Sequence, residues 1–311
     1  MEAGRVFVTG GSGFVGSAVI DELLTRGRAV TALANRGTLD DRGGRVRVVP
    51  GGLFDDRALD DAIAACDAVV HLVGIIMERP GRGVTFERIH FDGTRRVVDA
   101  ARRHGVRRYV QMSALGVRPG AVSTYHKTKY RAEQYVCGSG LDWTIFRPSL
   151  IHGPKGEFMR MEAAWARRKA PPFFAMPYFG AGALGRGGAG RLQPVHVGDV
   201  ARAFADALEK PRTIGEVYLL GGADRLTWPE LHRACASAIV GRPRPVMALP
   251  AWYAKGLARV VPRLLLPFNR DQVIMSQEDN TCDLTKFRGD FGWDPQPFEP
   301  SLRAYVKQLL G

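Results

Sequence analysis

The segment "RVFVTGGSGFVG" (5–16) leaves this chain few folds to choose from. "RVFVT" (5–9) reads as a short buried strand, and glycines follow at 10, 13 and 16. Val15, Val19, Leu23 and Leu24 then recur at helical spacing, giving one apolar face. Gly27 after Arg26 marks a helix stop, and "AVTALA" (29–34) reads as the next strand. Strand, glycine turn, helix and strand within about 30 residues make one parallel unit.

The alternation repeats. "VRVVPGG" (46–52) is strand-like, "DRALDDAIAAC" (56–66) helical, and "AVVHLVGII" (68–76) an unbroken apolar run. Such a run suits a central parallel strand covered on both faces. A helix is predicted from about Phe86 to His104, and a strand over 107–115. The pattern predicts an α/β chain with a doubly wound parallel sheet. Further on, 193–209 reads as strand then helix, 215–222 as a strand returning to the sheet, and 227–240 as a helix. The glycine-dense stretch 179–190 is predicted to be a flexible loop.

Gly10, Gly13 and Gly16 sit where strand turns to helix. Glycine there permits positive φ and close backbone approach to a pyrophosphate. The free N–H groups and dipole of the following helix would hold that anion. An acidic residue about 20 positions on would pair with the ribose hydroxyls of NAD. The second strand ends "ALANRG" instead, and Arg36 suits a 2′-phosphate. NADP(H) is therefore preferred over NAD(H), against the plainer reading of Arg36 as one more surface arginine.

Tyr125 and Lys129, in "STYHKTKY" (123–130), share a helix face at i and i+4. A free phenol ionises near pH 10, about three units too high for easy proton exchange at neutrality. A lysine ammonium nearby would lower that value toward the range useful to a general acid/base. The competing reading is a packed tyrosine and a solvated lysine on an ordinary helix. His152 and His196 are candidates for a cleft, but read better as satisfied structural histidines.

The net charge of +13 favours anionic partners. The basic residues read as scattered, as in "RRHGVRR" (102–108) and "RRK" (167–169). No basic stripe with interleaved aromatics is present, so no nucleic acid is expected. Cys66, Cys137, Cys235 and Cys282 lie far apart, which argues against a zinc site or disulfide framework and suits a reducing cytosol. No metal site is expected. The strand-like start argues against a signal peptide, and no apolar run is long enough for a transmembrane helix. "PAWYAKGLARVVPRLLLPF" (250–268) reads either as a surface for a membrane or partner, or as lobe packing interrupted by prolines.

"TGGSGFVG", "HLVGII", "HFDGTRRVVDAA", "MSALG", "YHKTK" and "FRPSLIHGP" occur in the order seen in extended and atypical short-chain dehydrogenase/reductases. The chain resembles that family over essentially its whole length. "HLVGII", "SGLDWTIFRPS" and "EDN" (278–280) are most similar to the branch holding the accessory NADPH-binding subunit of respiratory complex I and its bacterial relatives. The resemblance implies a Rossmann-type sheet with a smaller, discontinuous C-terminal lobe. Residues 1–154, continued by 191–222, would be the NAD(P)-binding domain, and 155–190 with 223–311 the substrate or partner lobe.

The resemblance also implies roles. The turn from Thr9 through Gly10, Gly11, Ser12, Gly13, Phe14, Val15 and Gly16 would hold the pyrophosphate, with Thr9 supporting it. Asn35, Arg36 and Leu53 would lie toward the adenosine, and Leu72, Val73 and Gly74 along the cofactor. Ser113, Tyr125 and Lys129 match the catalytic set, Lys129 also contacting the cofactor, and Pro148 and Ser149 would line the nicotinamide side. Two departures stand out. Gly52-Leu53 replaces the "GDL" of many relatives, and Ser149 stands where nucleotide-sugar epimerases carry Asn, which weakens a nucleotide-sugar substrate. The implied function is an NADP(H)-dependent oxidoreductase or isomerase on a small apolar carbonyl or alcohol of unknown identity. The alternative is a non-catalytic NADPH-holding accessory or assembly subunit of a membrane-associated respiratory complex. The location would be cytoplasmic, or peripheral on the inner membrane.

Overall fold

The computed structural model describes residues 4–35, 39–185, 190–260 and 268–309. In chain order the elements are β1 (Arg5–Thr9), α1 (Phe14–Thr25), β2 (Ala29–Ala34), β3 (Val46–Pro50), α2 (Asp56–Ile63) and β4 (Ala68–His71). Next come α3 (Gly93–Arg103), β5 (Arg108–Met112), α4 (Thr124–Cys137), β6 (Asp142–Pro148), β7 (Ile151–His152), α5 (Glu157–Ala166), β8 (Met176–Gly180) and β9 (Val195–His196). The remainder is α6 (Val197–Glu209), β10 (Glu216–Leu220), α7 (Trp228–Val240), β11 (Val246–Pro250), α8 (Ala251–Val260), α9 (Arg270–Met275), α10 (Thr285–Phe291) and α11 (Phe298–Tyr305).

These fall into two compact units. Unit 1 comprises Met1–Pro148, Val197–Leu220 and Leu284–Trp293; unit 2 comprises Ser149–His196, Gly221–Asp283 and Asp294–Gly311. The sequence placed the boundaries at 154 and 191 and assigned 284–293 to the second lobe. Phe291 sets its ring edge-on to Tyr218 at 5.0 Å and tilted against Phe146 at 5.7 Å. That aromatic cluster brings α10 into unit 1 across a separation in sequence that local pattern does not reveal.

Unit 1 is a seven-stranded parallel sheet of order β10-β6-β5-β4-β1-β2-β3. Its central strands are apolar because helices cover both faces. Val6, Phe7, Val8, Val69 and Val70 are almost wholly buried, each contributing about 1.5–3 kcal/mol of transfer free energy. The chain runs outward from β1 to β3 and then crosses back to β4. The direction of strand order thus reverses beside β1, where Thr9 registers with His71. Ligands of such sheets bind outside the carboxyl ends of the strands at this reversal.

Two local features differ from expectation. The predicted helix from Phe86 opens as a wide π-helical turn over Glu87–Asp92 before α3. Thr94 Oγ1 donates to the His90 carbonyl at 2.6 Å, giving it a side-chain partner where the register shifts. The glycine-dense stretch at 179–190 also begins as structure: Phe179 and Gly180 end β8, which pairs with β11.

Unit 2 packs α5, α7 and α11 around Met159, Leu231, Cys235 and Leu302. Thr227 and Glu230 cap α7 reciprocally. His152 is fully buried, within 2.9 Å of the Tyr305 hydroxyl, and burial lowers its pKa to about 3. It is a neutral packing residue.

Candidate active site in the nucleotide-binding unit

The glycine turn is shaped by two close approaches. Gly10 has φ +74°, which a side chain rarely adopts, and a Cβ on Gly16 would overlap the Gly10 carbonyl oxygen. Gly13 is the N-cap of α1 and donates its N–H to Gly10 at 2.9 Å. Having no side chain, it leaves the first turn of α1 without a side-chain cap among the described residues. Val73 sits against this turn, its Cγ2 3.3 Å from where a Gly10 Cβ would stand. An anion suits that uncapped helix end.

Beneath the turn runs a buried polar chain. Thr9 Oγ1 lies 2.6 Å from His71 Nδ1, and His71 Nε2 lies 3.2 Å from Thr94 Oγ1. Thr94 spends its proton on the His90 carbonyl, so its oxygen accepts from His71 Nε2. His71 Nδ1 then accepts from Thr9, whose oxygen also receives the Leu72 N–H at 3.3 Å. His71 is held neutral, its pKa lowered to about 3 by burial first and by the Lys129 charge second. Thr9 thus anchors both the glycine turn and the segment after β4.

Ser113 follows β5 and donates its N–H to the Phe146 carbonyl at 2.7 Å. Its side chain is buried, and among the described residues its hydroxyl has no hydrogen-bond partner. A buried hydroxyl left bare is costly unless a ligand completes it. Ser123 Oγ caps α4 by accepting the His126 N–H at 3.1 Å. Tyr125 stands half-buried in the first turn, its ring edge-on to Phe86 at 5.8 Å and to His90 at 5.1 Å. Lys129 is 5% exposed, with Nζ 5.6 Å from the centre of the Tyr125 ring. Nζ donates to the Met112 carbonyl at 3.3 Å and lies 3.3 Å from the position a Gly74 Cβ would take. Ser113, Tyr125, Lys129 and Gly74 therefore cluster in unit 1.

The electrostatics correct one expectation. Lys129 was expected to lower the tyrosine, yet burial holds the Tyr125 phenol well above its ordinary range. Burial also brings Lys129 down to about 8, partly offset by Glu133, which is paired with Arg147 at 2.9 Å. In the chain alone desolvation outweighs the ammonium, whose nitrogen sits over the ring. The result is a neutral phenol beside a cation, an arrangement able to give a proton.

Other positions behave differently. Asn35 is exposed, with its side chain against Gly52. Leu53 is buried in the core, its Cδ1 close to Gly93. Pro148 ends β6 and accepts the Leu115 N–H at 2.9 Å. Ser149 falls in unit 2, where its hydroxyl donates to the Asn280 carbonyl oxygen at 2.9 Å and also contacts the Asn280 side-chain oxygen. Arg36 lies outside the described residues. His71, His90, Thr94 and Thr128 were not singled out from sequence, although "HLVGII" and "HFDGT" contain three of them. A histidine at the end of an apolar run was the available signal.

The uncapped helix end, the glycine cradle and the bare Ser113 hydroxyl together fit a dinucleotide cofactor. Residues 10–164 match the family described as NAD(P)H-binding. The chain is thus similar to NAD(P)H-binding proteins over about half its length, and its parallel sheet has the Rossmann arrangement. It is 29% identical over 245 residues to a ceramide reductase of Caulobacter vibrioides, covering 78% of this chain and 72% of that one. It is 30% identical to the mitochondrial NADH dehydrogenase [ubiquinone] 1 alpha subcomplex subunit 9 of Arabidopsis thaliana, over 81% of this chain and 61% of that subunit. With sterol demethylase protein B of Methylococcus capsulatus the identity is 28% over 93% of both chains. Among solved structures, gox2253 is similar with a TM-score of 0.75 and 26% identity, covering 99% of this chain and 98% of that one. Relatives of this NAD(P)-binding chain thus include both oxidoreductases and respiratory-complex subunits.

Proposed function

We propose that this NAD(P)-binding protein is an NADP(H)-preferring oxidoreductase that interconverts a carbonyl and an alcohol on an apolar, lipid-like substrate. The observation that carries this is the cluster of Ser113, Tyr125 and Lys129, with the buried Ser113 hydroxyl bare. The turn at Gly10–Gly16 would hold the pyrophosphate, and Gly74 and Lys129 the ribose beyond it. Bound NAD(P)H supplies the hydride. The Ser113 hydroxyl donates a hydrogen bond to the substrate oxygen and orients it. Tyr125 Oη gives its proton to that oxygen as it gains negative charge. The Lys129 ammonium stabilises the resulting phenolate, and Phe86 and His90 fix the ring edge-on. In the reverse direction the phenolate takes the proton back.

The substrate class rests on similarity to proteins named for ceramide and sterols, both apolar lipids. The similarity to a complex I subunit favours a second reading, an NADPH-holding accessory protein of a respiratory assembly, peripheral on the inner membrane.

Incubating the protein with NADPH and a panel of long-chain oxo-lipids and oxo-steroids separates the two, with cofactor consumption as readout. Tyr125→Phe removes one hydroxyl while keeping the ring, and turnover should fall roughly 10²- to 10⁴-fold with cofactor affinity retained. Undiminished turnover in Tyr125→Phe would refute the catalytic assignment. Turnover in neither protein would move the conclusion to the accessory reading.

A further inference from the structure

We propose that unit 2 docks on an anionic bilayer surface through the outer face of α8. Ala251 and Ala254 turn inward, packing with Val273 and the flanking Phe179 and Leu249. The opposite face exposes large apolar side chains where water would ordinarily select polar residues. Trp252 is 62% exposed, Tyr253 46% and Val260 82%. Positions 252, 253, 256, 259 and 260 share one side of the helix. Leu184, 69% exposed, extends the patch, since the Trp252 indole N–H donates to the neighbouring Ala183 carbonyl at 3.2 Å. That bond leaves the indole ring with no bare donor to carry into an apolar phase. Grouped exposed aromatics of this kind mark a docking surface.

Charge identifies the occupant. From 231 to 270 the sequence holds seven Lys/Arg and no Asp or Glu. From 163 to 198, which supplies β8 and the Leu184 loop, it holds five and again no acid. Against a net charge of +13 for the whole chain, nearly the entire excess lies in these two segments. The scattered appearance of the basic residues gives way to a concentration in unit 2, which holds both segments apart from Val197 and Gly198. Lys255 and Arg259 stand on α8 itself, among the aromatics. Amphipathic aromatics with interspersed cations, and no carboxylate within either segment, match the headgroup boundary of an anionic leaflet. A nucleic acid would ask for a groove that tracks a strand, and α8 presents a convex helix face. Among the described residues no helix is long and apolar enough to cross a membrane, so the contact is with the surface.

The test is sedimentation of the full chain with two kinds of vesicle, one of phosphatidylcholine alone and one of equal parts phosphatidylcholine and phosphatidylglycerol. The anionic vesicles should retain the protein at low salt and release much of it at high salt. Lys255→Glu with Arg259→Glu should weaken that retention on the order of tenfold or more. Tyr253→Ser with Val260→Ser should weaken it comparably at either salt. Both double variants change exposed side chains, and unaltered NADPH binding and thermal unfolding would show them folded. Equal retention on neutral vesicles, no retention on either kind, or retention untouched in folded variants would each overturn the proposal. So would stronger retention on DNA than on anionic vesicles, or a dimer that the serine variants dissociate while vesicle retention stays unchanged. NADPH binding resides in unit 1, so this result stands apart from the outcome for Tyr125.

Discussion

His90 Nδ1 stands 2.9 Å from Thr128 Oγ1, and His90 Nε2 stands 3.1 Å from the Ile75 amide nitrogen. One ring therefore ties the segment after β4 to the turn of α4 that carries Tyr125. Burial first, and the Lys129 charge second, lower His90 to about 2, so the ring is neutral at any working pH. A neutral ring always keeps one nitrogen able to accept, either from the Ile75 N–H or from the Thr128 hydroxyl. His90 also sets its edge against the Tyr125 ring.

His90 is thus a positioning residue. His90→Ala should lower kcat roughly 10- to 100-fold, the scale of a small misplacement of reacting groups, with a smaller change in the KM for NADPH. His90→Asn keeps a short polar side chain and should recover part of the loss. Steady-state kinetics beside thermal unfolding check this. A drop in Tm with kcat intact would reduce His90 to a packing role.

NADPH should bind more tightly than NADH by roughly 10- to 100-fold, the worth of one charge-assisted contact to the 2′-phosphate. The expectation rests on Arg36 where an acid would favour NAD. Arg36→Asp should narrow or reverse the ratio while leaving the glycine turn intact. Fluorescence titration of both nucleotides decides it, and equal wild-type affinities would count against it.

Much of this was legible because strand and helix periods and the glycine turn are local signals. Val6 to Val8, Gly10 to Gly16 and the apolar run at 68–76 each announce themselves within a few residues. The i, i+4 spacing of Tyr125 and Lys129 is equally local. The His71 chain was not legible, because Thr9, His71, Thr94 and Gln111 meet only when β1, β4, α3 and β5 are assembled. The partner of Ser149 was not legible either, because its neighbour Pro148 ends a sheet strand while its own hydroxyl is engaged by Asn280, 131 residues away. The sign of the tyrosine shift depended on burial, which spacing does not report.

That burial leads to a paired prediction for pH. Lys129 has its folded pKa near 8 against an ordinary 10.5, with desolvation the main cause. The ammonium is therefore present at neutrality and is lost as pH rises through about 8. For carbonyl reduction, kcat/KM should fall above that pH with a single ionisation, because the phenolate formed at Tyr125 loses its neighbouring cation. Stability should move the other way. The unfolded chain binds the extra proton between pH 8 and 10.5, so this group makes the fold more stable as pH rises across that window. Below pH 8 the buried cation costs about 3 kcal/mol, from 1.36 kcal/mol per pH unit of displacement. Lys129→Met should then be inactive yet more stable than wild type at pH 7, with the gain shrinking to nothing above pH 10. Urea unfolding of both proteins at pH 7 and pH 10 measures the gap. A gap that does not depend on pH would mean that Lys129 is not the titrating group.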